Sequence, residues 1–309
     1  MPCYSPLTGY RSRVTGASGK RQIVFKSSEG YLDQPVEVPC GRCIGCRLEY
    51  SRQWAVRCVH EASLYDENSF LTLTYSPENL PSNGSLVKRD LQLFFKRLRK
   101  SLPEKKIRYF ACGEYGDRNG RPHYHVCLFN HNFRDRYLYT VRDGVALYRS
   151  ESLERLWPAG FSTIGDVTFE SAAYVARYTM KKFKGDEDEK KKHYEICDSE
   201  TGEIHDLLPE FAIMSRRPGI GSGWVDRYRS DLDKDFITMR GARMKLPRFY
   251  DDILKKENEE KFEDVTKRLR RREAKKRQAD NTPDRLRVRE KVKKAQLGQL
   301  KRGFEKNET

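Results

Sequence analysis

The chain has 309 residues, 37% of them hydrophobic and 34% charged, with 61 Lys+Arg against 45 Asp+Glu for a net charge of +16. No run approaches the ~18 apolar residues that span a bilayer, and Met1–Ser5 lacks the basic-then-apolar pattern of a secretory leader, so a membrane or exported protein is not expected. So basic a balance selects a polyanionic partner, nucleic acid or an anionic surface, and eight cysteines are too sparse for a disulfide scaffold, so clustered ones read first as metal ligands.

Residues 1–39 are rich in Gly, Ser and basic residues and read as irregular, with a possible hairpin around Gln22–Phe25. Cys40, Cys43 and Cys46 follow in C-x2-C-x2-C spacing. Leu48, Ala55, Cys58, Val59 and Ala62 recur at helical intervals and predict a helix from about Arg47 to Tyr65. Phe70–Tyr75 is apolar, β-branched and aromatic, and predicts a strand. Residues 86–101 predict an amphipathic helix with Leu91, Phe94, Phe95 and Leu98 as its apolar stripe. Ile107–Glu114 and Pro122–Phe129 predict two strands joined through Asn119-Gly120, hence an antiparallel hairpin. Ser162–Phe169 predicts a further strand, and Ser171–Phe183 a helix capped by serine. Residues 184–210 are polar and predict a surface hairpin or lid. Arg217–Trp224 is a Gly-rich loop entering a short helix. It lacks the Lys-Ser/Thr of a P-loop, so ATP is not indicated; its amides could approach phosphates or form an ordinary turn. Residues 255–309 hold 20 Lys+Arg and 11 Asp+Glu, and predict a solvated helix or disordered arm with non-specific, salt-sensitive nucleic-acid affinity. The remaining residues are also net basic, so the body is expected to carry a basic face.

Three constellations carry chemistry. In the strand Arg121-Pro122-His123-Tyr124-His125, alternate side chains share a face. His123 and His125 therefore point one way, about 7 Å apart along the strand, while Tyr124, Val126 and Leu128 point into a core. Glu114, on the other strand of the hairpin, is placed to be a third ligand, and a His/His/Glu set with open positions suits a catalytic divalent ion. In Tyr174-Val175-Ala176-Arg177-Tyr178-Thr179-Met180-Lys181-Lys182, Tyr174 and Tyr178 stack at i and i+4 on one helix face, with Lys181 and Lys182 one turn on. Such phenols are either core packing or nucleophiles toward a phosphodiester, and a neutral phenol needs activation to attack. The cysteine box needs a fourth ligand for structural zinc; Cys3 is the best placed, with Cys58 and His60 as alternatives. The ferredoxin spacing fails, because Cys46 is followed by Arg47-Leu48-Glu49-Tyr50 where a fourth cysteine and a proline belong.

In their order, the FLTLTY strand, the paired-histidine strand and the YxxxYxxKK helix resemble the three motifs of the HUH endonucleases. The doubled tyrosine, the YVARYTMKK run and the preceding cysteine box are most similar to the replication initiators of small single-stranded DNA bacteriophages, the microviruses, especially gokushovirus-like ones. The resemblance covers about residues 40–225. One departure is Tyr124, where the family pattern has an aliphatic residue between the histidines.

The resemblance implies that His123, His125 and Glu114 bind Mg²⁺ or Mn²⁺. Tyr174 or Tyr178 attacks the phosphate, leaving a 5′-phosphotyrosine and a free 3′-OH that primes rolling-circle synthesis. Lys181 or Lys182 contacts the phosphate or phenolate. Thr72 and Thr74 lie under the DNA, and Arg121, Arg177, Arg216 and Arg217 are assigned to DNA binding. The partners implied are single-stranded origin DNA and host replication machinery in the bacterial cytoplasm; the oligomeric state is left open. Three other readings stay open: a related HUH transposase or relaxase, a zinc-stabilised nucleic-acid-binding protein without catalysis, and a metal-dependent hydrolase in which water attacks and no covalent adduct forms.

The expected fold is α+β. It has a central antiparallel sheet with helices on one face, and the metal site and tyrosine helix on the other. A Cys-bearing segment (1–46) precedes the nicking domain (47–250), and a basic helical or disordered tail (251–309) follows it.

Overall fold

The computed structural model describes residues 3–17, 19–116, 119–142, 144–178, 193–197 and 202–299. The chain divides into two compact units, one of residues 51–259 and one that joins residues 1–50 to residues 260–301.

The first of these units is α+β, as expected. Its elements in chain order begin with α1 (Ile44–Ala62, entering from the other unit), β4 (Asn68–Thr74), α2 (Lys88–Ser101), β5 (Arg108–Tyr115), β6 (Pro122–Phe129), β7 (Tyr137–Arg142), β8 (Val145–Arg149) and α3 (Glu151–Leu156). They continue with β9 (Ser162–Gly165), α4 (Phe169–Tyr178), the hairpin β10 (Glu195–Cys197) and β11 (Ile204–Asp206), β12 (Phe211–Met214), α5 (Ser222–Arg227) and α6 (Arg248–Glu257). Seven strands form one antiparallel sheet in the order β12-β5-β6-β4-β9-β8-β7.

Alternation divides the sheet's residues between two cores. Leu71, Leu73, Ala111, Tyr124, Val126 and Leu128 pack with Leu91, Phe94, Phe95 and Leu98 of α2 and with Trp157. On the opposite face Phe70, Phe110, Cys112, Cys127 and Phe129 pack with Trp54, Ala55 and Cys58 of α1 and with Ala172–Ala176 of α4. The Trp54 and Phe110 rings stack with centroids 4.4 Å apart. Thus α1 lies on the same face as the tyrosine helix, rather than with α2. The β9 strand ends at Gly165, short of the expected Phe169, because α4 starts earlier than the serine cap implied. Thr168 is the cap: its Oγ1 accepts from the Ser171 amide at 3.1 Å, and Ser171 Oγ accepts from the Thr168 amide at 2.8 Å, a reciprocal pair that satisfies two helix-end donors.

Tyr124 explains its own presence between two histidines. Its hydroxyl donates to the Val87 carbonyl and accepts from the Val87 amide, both at 2.9 Å, and lies 2.8 Å from the Tyr75 hydroxyl, which donates to Asp90 Oδ2 at 2.7 Å. An aliphatic residue could fill the core but could not tie the start of α2 to the sheet. Tyr124→Phe leaves the Val87 amide and carbonyl without that partner, so urea unfolding is expected to show a loss of about 1–3 kcal/mol.

A third core gathers Val56, Val225, Leu232, Ile237, Leu246 and Tyr250. His60 sits beside it, stacked on Trp224 at 3.6 Å with Nδ1 3.0 Å from the Tyr250 hydroxyl. Burial lowers its pKa from 6.5 to about 4. The folded state therefore holds the neutral ring, and the unfolded chain takes up a proton first as pH falls. Stability is full above about pH 6.5 and declines toward pH 4, by about 3 kcal/mol if this group acts alone. Urea unfolding between pH 7 and 4 is expected to show this slope, and His60→Gln to flatten it.

The Gly-rich loop is bound by side chains, not open to a ligand. The Gly221 amide donates to Glu61 Oε2 at 2.6 Å, Arg57 Nε to the Ile220 carbonyl at 3.0 Å, and Arg108 Nη2 to the Pro218 carbonyl at 2.9 Å. Glu61 and Arg108 form a buried ion pair. A carboxylate already occupies the Gly221 amide, so this segment is a structural turn.

In the other unit β1 (Leu7–Thr15), β2 (Arg21–Val24) and β3 (Gly30–Val38) form an antiparallel sheet in the order β2-β1-β3, where irregular chain with at most a hairpin was expected. The described part of the basic tail is largely helical: α7 (Arg268–Lys276) and α8 (Pro283–Gln299) are mostly exposed.

Candidate active site and cysteine site

The register of three adjacent strands assembles the first site. Glu114 on β5 pairs with His123 on β6, which pairs with Thr74 on β4; two residues along, Cys112, His125 and Thr72 are level. Glu114 Oε1 lies 2.9 Å from His123 Nε2 and 3.0 Å from His125 Nε2. The Tyr174 hydroxyl, reaching in from α4, donates to the same oxygen at 3.3 Å. All four side chains are buried. Phe70 stacks on His125 at 5.6 Å, and the Tyr174 ring meets it edge-on at 5.0 Å.

The hydrogen bonds around this group set its protonation. His123 Nδ1 lies 3.0 Å from the Arg121 carbonyl, which can only accept, so Nδ1 carries a hydrogen and donates. In the neutral ring Nε2 is then a lone pair aimed at a carboxylate oxygen. Either the imidazole is protonated, or a cation stands between the two. His125 Nδ1 is oriented in a similar way by Thr72 Oγ1 at 3.1 Å. Burial works to raise the Glu114 carboxyl, but the charges and hydrogen bonds of His125 and His123 outweigh it and hold the group below the usual carboxylate range. Glu114 Oε2 is buried and has no hydrogen-bond partner among the described residues. An orphaned carboxylate oxygen beside two oriented imidazoles fits a divalent cation. The three ligand atoms lie within 4.8 Å of one another.

The group opens into a cavity of about 500 Å³. Arg121 lines it and donates to the Tyr75 carbonyl at 3.0 Å. Thr72 and Thr74 form part of the floor. Arg177 sits on α4 with its guanidinium 5.9 Å from the Tyr174 ring centre. Arg216 and Arg217 are exposed in the turn after β12, at the Tyr109 end of β5, where the Ser215 amide reaches the Tyr109 carbonyl. They do not line the cavity. Arg142 and Arg149 do, and the sequence reading passed over them. The Tyr178 side chain, Lys181 and Lys182 lie outside the described residues.

The second site lies in the other unit. The sulfurs of Cys3, Cys40, Cys43 and Cys46 lie within 4.8 Å of one another. Cys58 and His60, the alternative fourth ligands, are buried elsewhere: Cys58 under α4 and His60 against Tyr250. Backbone amides point at the sulfurs: Cys40 to Cys3 at 3.3 Å, Cys43 to Cys40 at 3.3 Å, Arg42 to Cys40 at 3.4 Å and Tyr4 to Cys43 at 3.3 Å. For the Cys43 thiol, burial acts upward, but the Tyr4 and Cys46 amides and the neighbouring thiols lower it to about 7. Four convergent sulfurs with amide donors suit a tetrahedral metal.

Residues 68–183, which include the whole histidine–glutamate–tyrosine group, match the family model of replication-associated protein ORF2/G2P. The replication-associated protein VP4 of Bdellovibrio phage phiMH2K is 33% identical over 273 residues, covering 85% of this chain and 80% of that protein. The chain belongs to the family of phage replication-associated proteins. Within that family, ORF2 of Spiroplasma virus 4 is 35% identical over 73% of this chain and 70% of its own length, and ORF4 of Chlamydia phage 1 is 30% identical over 71% and 54%. These relatives are of the microvirus type that the YVARYTMKK run and the cysteine box suggested. No solved structure matches the chain. Among the described residues no helix is long and apolar enough to cross a membrane.

Proposed function

We propose that this replication-associated protein starts rolling-circle replication by nicking single-stranded DNA at a phage origin in the host cytoplasm, with a tyrosine as nucleophile. One observation carries the reading: two imidazoles and a phenol converge on a single buried oxygen of Glu114. Such a group, buried at the mouth of a cavity, has the donors that a divalent ion and a phosphoryl acceptor need. In this reading His123, His125 and Glu114 hold Mg²⁺ or Mn²⁺, which when bound polarises the scissile phosphate. Thr72 and the Arg121 carbonyl fix the two rings, α4 presents Tyr174 to the site, and Tyr178, Lys181 and Lys182 are assigned to the same reaction by motif position.

The chemistry is a balanced exchange of one phosphodiester for another. The phenolic oxygen forms a bond to phosphorus, the bond from phosphorus to the 3′ oxygen breaks, and that oxygen takes up a proton. Because the energy of the bond is kept in the phosphotyrosine, the 3′-OH of a displaced strand can reverse the step and close a circle. No nucleotide cofactor is required. The freed 3′-OH is the primer handed to host polymerases. The four cysteines are assigned structural Zn²⁺, and the arginines lining the cavity the DNA phosphates.

Covalent capture tests the reading. With single-stranded DNA of its own genome and Mn²⁺, the protein is expected to give a band of lower mobility on a denaturing gel. The band should vanish in the Tyr174→Phe/Tyr178→Phe double variant and in His123→Ala. Cleavage without an adduct would move the attack to water. Salt-sensitive binding with neither cleavage nor adduct would leave a zinc-stabilised binding protein.

A further inference from the structure

The cavity extends well beyond the histidine–glutamate group, and its outer wall has its own chemistry. Tyr139 on β7 and Phe161 just before β9 line that wall, yet 52% and 55% of their surfaces are exposed. Arg142 and Arg149 line it with them; the Arg149 guanidinium lies 5.3 Å from the Tyr139 ring centre and is held by Glu154, to which its Nε donates at 2.8 Å. Ser162, at the start of β9, also lines the cavity; its hydroxyl is buried and has no hydrogen-bond partner among the described residues. No acidic side chain lines the cavity among those residues.

Core packing does not account for rings this exposed. Tyr137, Leu138, Tyr139 and Val141 are all more than half exposed, so β7 buries neither face fully, although it closes one edge of the sheet. Open aromatic faces and guanidinium groups, continuous with a phosphoryl-transfer group, match the two parts of a nucleotide, a flat base and an anionic linkage.

We propose that the β7–β8 hairpin and Phe161 form a base-stacking platform for single-stranded DNA. Tyr139 and Phe161 stack bases, while Arg142 takes a phosphate on the path to Tyr174. Duplex bases are covered by their neighbours and offer no such face, so the platform selects single strands. The proposal rests on the nicking function above.

Fluorescence anisotropy on the full chain carrying Tyr174→Phe and Tyr178→Phe tests it without cleavage. The probes are a labelled oligothymidylate and an abasic strand of equal length. Adding Tyr139→Ala and Phe161→Ala is expected to weaken oligothymidylate binding about tenfold per ring and to leave the abasic strand unaffected. Arg142→Ala should weaken both probes and reduce the salt dependence by about one phosphate contact. In Tyr139→Trp, oligothymidylate should quench the new indole and the abasic strand should not. Unchanged affinity of the double-alanine protein for both probes overturns the platform. So does a Tyr139→Ala protein that shifts from dimer to monomer in sedimentation with DNA binding intact, which would make β7 a self-association edge. The nicking function is read separately, from adduct formation by the otherwise wild-type chain: its absence beside intact base-dependent binding removes that function and leaves the platform.

Discussion

Glu114→Gln is expected to reduce adduct formation at limiting Mn²⁺ by about 10²-fold or more. The substitution keeps the shape of the side chain and removes its charge. Oε1 is the atom on which His123, His125 and Tyr174 converge, and an amide there offers either a neutral oxygen or a nitrogen whose hydrogens oppose a cation. Adduct yield against Mn²⁺ concentration distinguishes a lost ligand from a lost fold: the variant curve should shift to higher metal, with partial recovery in excess, while circular dichroism at the assay temperature shows the fold retained. A curve superimposable on that of the unsubstituted protein would remove Glu114 from the metal site. Thr72→Val should shift the same curve by a smaller factor, since it frees His125 to rotate without removing a ligand.

Cys40→Ser should abolish tight zinc binding and unfold the corner around residues 3–46. Structural zinc in zinc-finger peptides contributes about 10–16 kcal/mol of apparent binding energy at neutral pH, and that energy appears as folding. Here a loss would be concentrated, because the Cys40 sulfur accepts amides from both Arg42 and Cys43. Mass spectrometry of the native protein is expected to find one zinc per chain, and limited proteolysis of the variant to open new cuts within the first fifty residues. A metal-free native protein with an unchanged digestion pattern would reduce the four sulfurs to free thiols.

What was legible in the sequence followed from short-range rules. Strict alternation along β6 separates His123 and His125 from Tyr124, Val126 and Leu128, and Asn119-Gly120 fixes which strand comes back beside it. Helical spacing marked the α2 stripe, and local cysteine spacing marked the sulfur cluster. What escaped depends on distant partners. β7 shows no alternation because neither face is fully covered, so neither the hairpin nor its Arg142 and Arg149 stood out. The strands β1–β3 are mostly exposed and lack an apolar periodicity. The path of the chain after β12 is set by Glu61 and Arg108, 47 residues apart, and it carries Arg216 and Arg217 to the end of β5 away from Glu114. The earlier start of α4 follows from one threonine, Thr168, whose capping role differs from that of Ser171 only by three positions.

The unit built from residues 1–50 and 260–301 gives biosynthesis an order. About two hundred residues separate its halves, so at roughly 5–20 residues per second its first half waits on the order of 10–40 s for its second. All four cysteines of the sulfur cluster lie within the first 46 residues, so that corner can close around a metal while the ribosome is still working. The seven-stranded sheet and the Tyr174 helix are complete before the last helices emerge. A message cut short after residue 259 would therefore yield a chain with the histidine–glutamate–tyrosine group in place and its other unit half made.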